Sequence, residues 1–169
     1  MDSHAKIWIA RYSRILKHRQ KLWVNLSQID EDAFKKRPRE NLWSIDEILR
    51  HKLASEIRYI HQSFDSDLNQ FELSVPAQWV GNVFFRLEER KHYSLEEIKE
   101  KFEMVEITSG RVLKTENSNF ERDTEAPWGE KMKIHQLLEE WYDHDNYHRG
   151  QIYCLINLNS KPSFTEQIS

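Results

Sequence analysis

Two histidines, His144 and His148, stand four positions apart in residues 135–158, HQLLEEWYDHDNYHRGQIYCLINL, a stretch that reads as one long helix. Side chains at i and i+4 share a helix face one turn apart, so two imidazoles in this register can hold one divalent ion. Two ligands do not close such a centre, because zinc-type sites take at least three from the protein. The chain has eight histidines in all. At about 100° per residue, His135 falls on the opposite side of the helix from His144. His4, His18 and His92 sit in terminal or charged surroundings and read as solvated. His61 lies about 80° around its helix from His51, close enough to line a cavity but not to share the ion. His51 is the candidate that remains. On pattern alone it is equally a core histidine bonded to a carbonyl, and the metal and core readings stand side by side.

Neighbouring positions offer support to the pair. Glu140 and Gln151 lie on the same face, one turn before His144 and nearly one turn after His148. Glu140 or Asp143 can accept the second N–H of a ligand imidazole and fix its tautomer. A solvent-facing acid is the alternative for Asp143. Arg149 can meet an anionic thiol or carboxylate at a cavity mouth, or simply an acid on the surface. Gln151 is the best placed polar group beside the ion. Gly150 inside a helix costs ~1 kcal/mol relative to Ala, which close approach of another helix would explain. Cys154 points away from His148 and reads as core. Trp43, Trp128 and Tyr147 are candidates to line a pocket, and Trp141 to fill the core.

Four amphipathic stretches can position these groups: residues 5–28, 44–64, 94–116 and 131–158. Ser44 with Glu47, and Ser94 with Glu97, are capping boxes that mark the second and third helix starts. Residues 30–39 form a charged connector with a short helical turn near Ala33. Residues 66–93 hold no long helical period and read as a long connection with a short helix near 78–86. Residues 117–130, with Pro127 and Gly129, read as loop. The expected fold is all-α, a four-helix bundle with a long crossover between helices 2 and 3.

Composition narrows the function. At 169 residues the chain suits one domain, 1–169. Hydrophobic residues are 38 %, a low share, but six Trp, eight Phe and six Tyr give a core large rings to bury. Net charge is −3, basic and acidic residues are mixed along the chain, and acids flank the second of the basic clusters at 17–21 and 35–39, so no nucleic-acid partner is expected. Cys154 is the single cysteine, which forbids an intramolecular disulfide and fits a reducing compartment. Nothing reads as a signal peptide or membrane span, so a cytoplasmic location is expected.

Two motifs carry a resemblance. Trp43-Ser44-Ile45-Asp46-Glu47-Ile48-Leu49-Arg50-His51 resembles the WS-x-x-E-[IL]-[IL]-x-H motif of the DinB/YfiT-like family of metalloenzymes. His144-Asp145-Asn146-Tyr147-His148-Arg149-Gly150-Gln151-Ile152 is similar to its second signature, H-x-x-H-H-R-G-Q-[IL]. Ala126-Pro127-Trp128-Gly129 matches the family's [TA]-P-x-G loop. The resemblance spans about residues 5–158. It implies up-down-down-up connectivity and a divalent metal, nickel or zinc, on His51, His144 and His148. Tyr147 departs from the pattern, since relatives often carry a second His there; that His is not a ligand, so the triad is intact.

Three imidazoles leave a coordination position open, as in catalytic zinc sites. The resemblance implies an enzyme of the thiol-S-transferase type, in which the metal activates a low-molecular-weight thiol such as bacillithiol towards an electrophilic substrate. The alternatives are a metal-dependent hydrolase using a metal-bound water, and a non-catalytic, dimeric metal-binding stress protein. Metal binding is expected to weaken as pH falls below the free imidazole value near 6.5.

Overall fold

The computed structural model describes residues 3–64, 93–115 and 119–159. The connection expected at 66–93, with its short helix near 78–86, lies outside these residues except for Tyr93. Helix α1 spans Ser3–Leu26 and the short α2 spans Glu31–Lys35, capped by the Asp30 carboxylate on the Ala33 N–H (2.7 Å). Helix α3 spans Ile45–Glu56, α4 Leu95–Lys114 and α5 Ile134–Asn159. Both capping boxes form: Ser44 and Glu47 exchange hydrogen bonds of 2.8 and 3.2 Å, and Ser94 and Glu97 of 2.7 and 3.2 Å. None of the helices described is long and apolar enough to cross a membrane.

Three boundaries differ from expectation. The helix begun at Ser44 does not stay α-helical to Phe64; it passes into a π-helical turn, Ile57–Gln62, with no Pro or Gly to announce it. The last helix starts at Ile134 rather than Lys131. Lys131–Lys133 instead pairs antiparallel with Asp123–Glu125, inside the stretch read as loop. These strands, β1 (123–125) and β2 (131–133), are too short for alternation to signal them. Pro127 opens the turn between them and Gly129, at φ 89°, takes the left-handed position that closes it.

Helix α3 is the spine. It packs on α4 and α5, and α1 packs on the same two helices. Every residue from Ile45 to Glu56 is buried, charged ones included. The core divides in two. One half gathers Leu22, Leu26, Leu49, Leu53, Phe102 and Ile152; the other gathers Trp8, Ile15, Ile60, Phe120, Leu138 and Trp141. Along α1, α4 and α5 the polar groups Arg19, Ser109, Asp145 and His148 fall between the two halves, level with Lys52 and Glu56 on α3. The helical core therefore has a polar waist between two apolar ends.

One assignment to the core is corrected. Cys154 is exposed, because this side of α5 borders an open cleft instead of another helix. Trp141, by contrast, is buried in the core.

Candidate metal centre

His51 projects from α3 and His144 and His148 from α5, all towards one point at the waist. His144 Nε2 lies 2.9 Å from His51 Nε2 and 3.1 Å from His148 Nε2. One donor atom from each ring falls within 4.8 Å of the others, and among the described residues no other group of three metal-binding side chains does so. Aromatic rings wall the cluster. Trp43 stacks on His148 at 5.9 Å and tilts over His51 at 4.8 Å; Tyr59, presented by the π turn, stacks on His144 at 6.1 Å.

The donor set fits a cation. Gln151 Oε1, which can only accept, lies 2.7 Å from His148 Nδ1. Nδ1 therefore carries the proton, and Nε2 turns a lone pair inward. Were His144 Nε2 protonated, its one hydrogen would have to serve both neighbours. A shared ion satisfies all three lone pairs at once. Nitrogens about 2.1 Å from one ion lie about 3.0 Å apart at a right angle and about 3.4 Å apart at a tetrahedral one. The two separations from His144 match the right-angled case.

Electrostatics keep the rings ligand-competent. Burial, then the neighbouring imidazoles and Lys52, lowers His51 to about 3. Burial, His148 and Lys52 lower His144 to about 4. His148 is lowered by burial, against the opposing bond to Gln151. All three are neutral at pH 7.

A model of the DinB family matches residues 1–159. The chain belongs to the DinB family. No curated protein matches it.

In this DinB chain the other candidate residues separate by location. Gln151 touches His148, and its Nε2 donates to the Tyr147 hydroxyl (2.9 Å), so Tyr147 sits where it orients the amide. Glu140 and Asp143 are exposed, and neither bonds to a triad ring among the described residues. Arg149 faces away from this chain of bonds, into a small space shared with His18, Arg19, Lys52 and Asp145. His61 is buried on the Ser109 hydroxyl (3.0 Å), and burial lowers it to about 4. His135 pairs with Glu121 at 3.6 Å, beside His4.

A cleft of about 690 Å³ opens beside His148, between α5 and the segment before α3. Pro38, Leu42, Trp43, Ile48 and Leu155 make it largely apolar, with Asn41, Tyr147, His148 and Gln151 among its polar groups. Gly150 also lines it, and a Cβ there would meet nothing within 4 Å, so close helix approach does not explain that glycine. The outer wall is tied down by Arg37, whose guanidinium grips the Glu47 carboxylate (3.0 and 2.9 Å from Nε).

Sequence reasoning missed the charges behind the triad. Lys52 Nζ donates to the Asp145 carboxylate (2.6 Å) and backbone carbonyl (2.8 Å). Arg19 reaches Glu56 at 2.7 Å, Glu106 at 2.9 Å and Asp145 at 3.9 Å, and the Tyr12 hydroxyl donates to Glu56 at 2.6 Å. Burial raises the Asp145 carboxyl, but Lys52 and Arg19 outweigh it and hold it below the usual range. The only sequence signal was location: Lys52 directly follows His51, and Asp145 directly follows His144.

Proposed function

We propose that the triad His51, His144 and His148 binds one divalent transition ion, nickel or zinc, and that the protein is a metal-dependent thiol-S-transferase. The observation that carries the metal is the meeting of the His51 and His148 Nε2 atoms with that of His144, at 2.9 and 3.1 Å. A bound ion of this kind supplies Lewis acidity that keeps a small thiol deprotonated at neutral pH. The residues of the chain do the rest. Gln151 holds His148 in its ligand tautomer, Trp43 and Tyr59 keep water from the ring faces, and the apolar cleft beside His148 accommodates the body of an electrophile. Its volume falls within the range of small-molecule sites. In the transfer, a sulfur–carbon bond forms as the leaving group departs with its electron pair, and the thiol proton passes to solvent. We further propose the up-down-down-up connectivity and a cytoplasmic homodimer.

Protein purified without a metal-affinity tag should carry about one ion per chain, lost in His148→Ala. Conjugation of bacillithiol, glutathione and mycothiol to monochlorobimane should depend on that ion. Metal without thiol transfer would shift the reading to a hydrolase, assayed on esters and amides, and no turnover in either would leave a binding protein. A wild-type protein that binds no divalent transition ion overturns the metal reading itself.

A further inference from the structure

We infer that Lys52 and Asp145 form a positioning brace that sets the geometry of the triad. The inference rests on the metal reading above.

His51 comes from one helix, His144 and His148 from another. Their nitrogens meet only while α3 and α5 keep a fixed spacing and a fixed register along their axes. Apolar packing holds these helices together on both sides of the waist, through Ile48, Leu49 and Ile152 at one end and Ile60, Leu138 and Trp141 at the other. Such packing is non-directional and tolerates small slides. A short charge-assisted hydrogen bond is directional and does not.

The Lys52–Asp145 contact lies where such a constraint acts most directly. Each member is one residue from a ligand, Lys52 after His51 and Asp145 after His144. Both are buried, 4 % exposed each. Lys52 Nζ takes two acceptors on the same residue, the carboxylate at 2.6 Å and the backbone carbonyl at 2.8 Å. The bond to the carbonyl ties α3 to the main chain of α5, independent of any rotamer on α5. Arg19, 3.9 Å from the same carboxylate and bonded to Glu56 at 2.7 Å, adds a second positive charge that attracts Asp145 from the α1 side.

The test separates geometry from folding, using Co²⁺ as the probe. Its visible bands report coordination number and symmetry, and competition with a chelator gives its affinity. In Lys52→Met/Asp145→Leu the buried charges leave together, so the metal-free protein is expected to keep its helical content. Its Co²⁺ affinity is expected to fall 10- to 100-fold, the range typical of lost supporting contacts around a metal, with shifted visible bands. Lys52→Gln, one heavy atom shorter, is expected to shift the bands in the same direction. Lys52→Arg, which keeps two donors, should restore most of the affinity. Either folded variant, double or Lys52→Gln, with wild-type bands and affinity overturns the brace while leaving the metal site standing. A wild-type protein that binds no Co²⁺ overturns both.

Discussion

At the scale of residues, the centre is a chain of hydrogen bonds with one end on a ligand. Tyr147 receives from Gln151, and Gln151 receives from His148. Gln151→Ala removes the acceptor that fixes the His148 tautomer, and metal affinity should fall about 10- to 100-fold in chelator competition. Gln151→Glu offers a stronger acceptor to the same N–H and should tighten binding instead. Tyr147→Phe leaves the amide in place and should cost less than tenfold. A Gln151→Ala protein with unchanged affinity would remove the amide from the site. This layer was legible in advance, because two of the ligands, the amide and the tyrosine lie within eight residues of one helix and helical periodicity places them. Lys52 and Asp145 were not, since they are 93 positions apart and periodicity says nothing about which charge will meet which.

At the scale of elements, α3 decides whether the site exists. It is buried along its whole length, yet it carries Asp46, Glu47, Arg50, Lys52 and Glu56. The fold tolerates these charges because each has a partner: Asp46 with Arg50, Glu47 with Arg37, Lys52 with Asp145, Glu56 with Arg19. Ser44→Ala breaks the capping box at its start and should lower unfolding free energy by about 1 kcal/mol in urea titrations. Arg19→Met is the harsher change. Among the described residues it leaves the wholly buried Glu56 carboxylate bonded to the Tyr12 hydroxyl alone, and should cost about 3–5 kcal/mol. A further Glu56→Leu in that background removes the stranded charge, and most of the loss should return. The cap was readable because it is local, two residues three apart. The π turn after α3, the short hairpin before α5 and the exposure of Cys154 depend on what packs against each stretch, and no window of sequence contains that.

At the scale of the whole molecule, the polar waist makes stability depend on pH in a direction the buried histidines fix. His61 is held at about 4 by burial, His144 at about 4 and His51 at about 3. In the unfolded chain all three return to about 6.5. Between these values the unfolded state takes up protons that the fold excludes, so stability falls as pH drops from about 6.5 towards 4. For His61 alone the difference amounts to ~3 kcal/mol. Urea midpoints of metal-free protein should therefore decline steeply between pH 7 and 4.5, and His61→Gln should flatten that decline. Metal alters the picture at the waist alone. An ion at a hundredfold its Kd adds about 2.7 kcal/mol to the folded state, so nickel should raise the melting temperature and chelation lower it. Because burial already keeps protons off His51 and His144, the ion competes with fewer of them than free imidazoles would impose. Release is then expected not near pH 6.5 but closer to pH 4, provided the bundle is still folded there. Metal content measured across this range after dialysis checks it, with far-ultraviolet circular dichroism reporting the fold, and loss of half the ion by pH 6.5 from intact protein would contradict a buried triad.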